Sequence, residues 1–114
     1  MLKSLLVTIL LCVSYCSNAT MITGERLLDL AIAYQNAVGR DPSVDNQVKG
    51  SAYMGFVNGV TDSFDGKLFC IPNGEKASKL YDYTINFIVN NPRLLKKDGS
   101  EIVILALRKS YPCR

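Results

Sequence analysis

The sequence predicts an all-α protein: a small single-domain bundle of about four helices stapled by one disulfide. Apolar residues recur at helical spacing along most of residues 20–114, with caps and breakers falling a helix length apart. Strand signals are thin. The run "IVIL" at 102–105 has strand composition, but its flanks "SE" and "ALRK" favour helix. No repeat, low-complexity tract or interior linker divides the chain, and short loops between helices imply antiparallel neighbours.

The first helix begins at Thr23, an N-cap residue with Glu25 in the first turn, and places Leu27, Leu28, Ala31, Tyr34 and Val38 inward before Gly39 stops it. After the turn "GRDPS", Ser43 or Asp45 can cap a second helix with inner face Val48, Ala52, Phe56, Val60 and Phe64. Gly55 and Gly59 lie four apart beside that face. Each costs up to about 1 kcal/mol relative to alanine, so the sequence predicts a close neighbour against them.

The stretch "TDSFDGKLFCIP" breaks the pattern. Asp62, Ser63, Asp65 and Gly66 are turn formers and Pro72 restricts Ile71, which predicts a loop of about ten residues tethered at Cys70. Asn73 is the expected cap of a third helix, with Ala77, Leu80, Thr84, Phe87 and Ile88 inward and Asn91-Pro92 ending it. After "PRLLKK", Asp98 or Ser100 starts a fourth helix carrying Ile102, Val103, Ala106 and Leu107, which Pro112 closes.

Residues 1–19 have one positive charge at Lys3, an apolar run from Leu5 to Val13 and a small-x-small ending at Ser17-Asn18-Ala19. That pattern is a secretory signal peptide cleaved before Thr20, leaving residues 20–114 as an exported domain. A lipid anchor on Cys16 is the weaker reading, because bulky Tyr15 precedes it. The apolar run falls short of the roughly 20 residues a membrane-spanning helix needs.

Beyond the signal, two of the four cysteines remain, Cys70 and Cys113. In an oxidising compartment two such cysteines read most simply as one disulfide, within one chain or between two. Two thiols without histidine cannot complete a zinc shell, so no metal or other cofactor is expected.

Charge and chemistry narrow the function. The chain carries 13 basic and 10 acidic residues with no histidine, and its charges are spread in ones and twos. Lys96-Lys97 and Arg108-Lys109 are too short for a nucleic-acid stripe. Without histidine no Ser-His or Cys-His nucleophile can be assembled. Asp62 and Asp65 share a loop, but aspartates in Gly/Ser turns are ordinarily caps, and "DSFDG" lacks the ligand pattern of a calcium loop. Tyr34, Tyr53, Tyr81, Tyr83 and Tyr111 are candidates for a sticky surface or for half-buried rings with hydroxyls in water. A binding protein is the class that remains.

The order "GSAYMGFVNGVTDSF", "FCIPNG", "NNPRLL" and "ALRKSYPC" resembles the immunity proteins of type VI secretion amidase effectors, the Tai/Rap immunity family. The likeness runs from about Gly50 to the C-terminus and rests on Tyr53, Gly55 or Gly59, Phe69-Cys70-Ile71-Pro72 and Tyr111-Pro112-Cys113. Many relatives have a further cysteine where this chain has Ser51, which leaves Cys70 and Cys113 as the pair.

The resemblance implies a periplasmic inhibitor, often a homodimer, that binds a Cys-His peptidoglycan amidase and blocks its cleft with a protruding loop. Thr61, Asp62, Ser63, Phe64, Asp65, Gly66, Lys67 and Leu68, with Asn73 and Glu75 nearby, are the candidate plug. In this reading Asp62 and Asp65 accept hydrogen bonds from a cationic histidine of the amidase. The rivals are a small periplasmic acid-stress chaperone and a histidine-free hydrolase using Asp62 and Asp65.

Overall fold

Thr23 caps the first helix, α1 (Gly24–Val38), by accepting the Arg26 N–H at 3.3 Å on its hydroxyl, and Gly39 ends it. The computed structural model describes Lys3 and residues 21–114; the remainder of the expected signal peptide, Cys16 and the cleavage point lie outside the described residues. Ser43 caps α2 (Val44–Phe64) by accepting from Asn46 N–H. The other elements are α3 (Ala77–Asn90), a 3-10 turn (Pro92–Lys96) and α4 (Gly99–Ser110). The described residues form no strands, only two isolated bridges.

The helix α1 pairs with α2 as a hairpin, and Gly50 of α2 permits the approach. A Cβ there would sit 3.0 Å from the Tyr34 Cα. The second pair, α3 and α4, closes over the first, pinned where Gly24 N–H donates to the Lys97 carbonyl and Gly99 N–H to that of Ile22. One core results. Leu27, Tyr53, Val57, Phe69, Ile102, Val103 and Leu107 are fully buried in it.

Several sequence expectations are corrected. The inner face of α2 is Gly50, Tyr53, Val57 and Val60, while Val48 and Ala52 face solvent and Phe56 and Phe64 are half-buried. Residues spaced strictly by four drift about 40° per step around a helix of 3.6 residues per turn, so those five could not share one face. Tyr53 wins the core position because its hydroxyl finds a buried acceptor, the Tyr81 carbonyl, at 2.7 Å.

Gly55 and Gly59 do not pack closely. A Cβ at either would meet nothing within 4 Å. In the third helix Tyr81 and Ile85 join Leu80, Thr84 and Ile88 inside, whereas Ala77 is exposed and Phe87 half-buried. Likewise Val38 of α1 is exposed.

The tyrosines are neither sticky nor half-wet, with one exception. Tyr34, Tyr53 and Tyr81 pack in tilted and edge-to-face pairs with ring centroids 5.4–6.0 Å apart at the centre of the core, and Tyr111 is buried as well. Burial raises the Tyr53 hydroxyl far above the usual phenol range. Among the described tyrosines only Tyr83 stays open to solvent.

Candidate partner-binding site

The expected loop begins four residues later than the sequence predicts, because α2 continues through Phe64 and Asp65 is its C-cap. Thr61, Asp62, Ser63 and Phe64 therefore form the last helical turn. Ser63 donates its hydroxyl to the Gly59 carbonyl at 2.8 Å, which satisfies it within the helix. Asp62 points into solvent and forms no ion pair among the described residues.

Residues 65–76 then form a loop folded on itself. Gly66 adopts φ +82°, a conformation that strains any side chain, and its N–H donates to the Phe69 carbonyl at 2.8 Å. Lys67 and Leu68 N–H both return to the Phe64 carbonyl. Asp65 Oδ1 accepts from Ile71 N–H at 2.9 Å, clasping the far side of the turn. Phe69, fully buried, anchors it. Burying such a ring stabilises the fold by about 1.5–3 kcal/mol.

The C-terminal tail holds the outer half of the loop. The disulfide Cys70–Cys113 spans 43 residues, with its Cα atoms 4.9 Å apart. Beside it Cys70 N–H donates to the Tyr111 carbonyl at 2.9 Å, and Arg108 Nε–H donates to the Leu68 carbonyl at 3.2 Å.

Asn73 does not cap the third helix. A turn closed by Glu75 N–H on the Pro72 carbonyl, with Gly74 at φ +81°, delays the helix to Ala77. The helix has Lys76 as its N-cap and no side-chain cap bond; Glu75 Oε1 accepts the Lys76 N–H just ahead of it at 3.1 Å. Its other oxygen, Oε2, accepts the Tyr111 hydroxyl at 3.0 Å, and Lys79 pairs with Oε1 at 3.4 Å. Burial opposes ionisation there, but these donors outweigh it and hold the carboxyl below the ordinary range.

The candidate residues thus separate by role. Asp65, Gly66 and Glu75 shape the loop from within, while Asp62, Ser63, Lys67 and Asn73 are exposed around it. Phe69 and Tyr111 position the loop and were absent from the sequence-based set; Phe69 was visible only as part of the cysteine turn. No group of three or more Cys, Asp or Glu suited to a metal occurs among the described residues. Nor is any described helix long and apolar enough to cross a membrane.

Residues 23–113 match the family model described as Rap1a immunity proteins. A search of curated protein sequences found no significant match.

Proposed function

This chain belongs to the Rap1a immunity protein family, and from that premise we propose that it is a periplasmic inhibitor of a type VI secretion peptidoglycan amidase. In this reading it protects the producing cell from the enzyme delivered by siblings. It binds rather than catalyses, and needs no cofactor.

The observation that carries the reading is the braced loop. Residues 65–76 are fixed by a buried phenylalanine, a carboxylate clasp and a disulfide, yet they present a polar outer surface beside Asp62. Ordering a binding segment before contact reduces the entropy lost on association. Such a loop is suited to entering a cleft, with Asp62 free to accept hydrogen bonds from a cationic histidine in a Cys-His site. Asp65 spends one oxygen on the Ile71 amide, so its contribution is to hold the loop's shape. That role also argues against an Asp62-Asp65 hydrolase.

A toxicity rescue tests the proposal. The amidase encoded beside the gene is exported to the periplasm with and without this chain, and lysis is followed by turbidity. Rescue that disappears when residues 1–19 are deleted supports periplasmic inhibition. Lysis despite confirmed periplasmic expression would remove it, and full rescue by an alanine-scanned 61–68 segment would remove the loop as the plug.

A further inference from the structure

An asparagine or aspartate followed by glycine can close its side chain onto the next backbone nitrogen, because glycine has no Cβ to obstruct the ring. The chain contains four such pairs: Asn58-Gly59, Asp65-Gly66, Asn73-Gly74 and Asp98-Gly99. Closure requires the glycine N–H to lose its proton to hydroxide, so a hydrogen-bonded N–H is protected. Gly59 lies inside α2, where each N–H is spent on the carbonyl four residues earlier. Its neighbour Asn58 is also held, since Oδ1 accepts the Tyr81 hydroxyl at 2.9 Å. Gly66 N–H donates to the Phe69 carbonyl at 2.8 Å, and Gly99 N–H, which is buried, donates to that of Ile22 at 2.7 Å. Of the four, Gly74 alone has an N–H with no acceptor among the described residues.

The turn around this pair leaves it room to react. Pro72, Asn73 and Gly74 are all exposed, and the Asn73 side chain forms no hydrogen bond among the described residues. Glu75 N–H closes the turn on the Pro72 carbonyl at 3.2 Å. Gly74 stands third at φ +81°, the value a type II turn demands there. The peptide between Asn73 and Gly74 is the middle one of that turn. Type I and type II turns differ by a rotation of this peptide, so it can swing while the closing bond stays made. Glycine tolerates the change in φ.

We infer that Asn73-Gly74 is a self-modification site, where the asparagine converts to aspartate and isoaspartate without an enzyme. The deprotonated Gly74 nitrogen attacks Asn73 Cγ. An N–Cγ bond forms, the Cγ–Nδ2 bond breaks, and the amide nitrogen leaves as ammonia after taking a proton from water. Water then opens the cyclic imide at either of its carbonyls, giving a carboxylate and restoring one amide. No oxidant or reductant takes part. Either product adds a negative charge to the exposed rim of the loop, two positions from the Glu75 carboxylate. Isoaspartate also routes the main chain through Cβ, which lengthens the turn by one methylene. The chemistry belongs to this chain alone and stands apart from what the loop binds.

Ageing of the purified chain at neutral and mildly alkaline pH, followed by digestion and peptide mass spectrometry, tests the inference. The peptide holding Asn73 gains the mass of an amide-to-acid exchange and splits into two chromatographic peaks, faster at the higher pH. The peptide holding Asn58 reacts at least about tenfold more slowly, because α2 must open locally before Gly59 is released. In urea the two rates converge. An isoaspartate-specific methyltransferase labels the aged wild type, and Asn73→Gln abolishes that label, since a glutamine would have to close a larger and slower ring. The site is exposed, so this variant keeps the wild-type helical circular dichroism. An Asn73 that stays intact while a synthetic IPNGEKA peptide converts overturns the proposal. So does an Asn58 that keeps pace with Asn73 in the folded chain, or a difference between them that persists in urea.

Discussion

Tyr111 donates its hydroxyl hydrogen to Glu75 Oε2 at 3.0 Å, joining the end of α4 to the start of α3 across 36 positions of sequence. Because the donors around Glu75 depress its carboxyl below the ordinary value of 4.5, its ionised form is favoured by folding. The stabilisation is complete above pH 4.5 and is lost as the pH falls through the depressed folded value. Thermal melts of wild type and Glu75→Gln at pH values above and well below 4.5 check this. The gap between the two proteins should narrow on acidification, and an equal gap at all pH values would exclude the linkage.

Reduction of Cys70–Cys113 should lower stability by about 4 kcal/mol, the loop-entropy value for its 43-residue separation. Both half-cystines are exposed, so a mild reductant suffices. The denaturation midpoint with and without reductant measures the loss. Cys70→Ser/Cys113→Ser should match the reduced protein and ignore the reagent.

Tyr53→Phe removes the bond to the Tyr81 carbonyl while keeping the ring in the core. A loss of about 1 kcal/mol is expected in urea unfolding. Tyr53→Ala would empty a fully buried site and should cost about 3–5 kcal/mol.

The glycines of α2 should answer alanine with opposite signs. At Gly50 the new Cβ meets the Tyr34 backbone at 3.0 Å, so Gly50→Ala should destabilise. At Gly55 and Gly59 the space is open, and each alanine should stabilise the fold by up to about 1 kcal/mol. Thermal melts of each single variant against wild type measure the difference.

Asp62 and Asp65 should separate binding from folding. Asp62→Lys leaves the melting temperature unchanged, because the side chain is exposed and unpaired among the described residues, and weakens the proposed inhibition of the amidase. Asp65→Ala lowers both, since it leaves the Ile71 amide without its acceptor. Equal inhibition by Asp62→Lys and wild type would remove Asp62 from the contact.

Local chemistry alone determined much of this protein. Thr23 and Ser43 cap their helices as read, Gly39 and Asn91 end theirs, and the described residues contain four α-helices with one Cys70–Cys113 bridge. Caps and breakers act within a turn or two of sequence, so they are legible there. The tertiary structure decided what depends on distant partners. Tyr53 rather than Val48 faces inward because the Tyr81 carbonyl waits there, 28 positions away. Phe69 is core rather than loop because the C-terminal tail folds back beside it. Asn73 is left outside the helix, which starts without a side-chain cap after Lys76, because the Pro72–Glu75 turn intervenes and Tyr111 and Lys76 N–H hold the Glu75 carboxylate. Spacing along a chain records which residues can share a face; which face is buried depends on where their hydrogen-bonding groups find partners, and only the assembled fold supplies those.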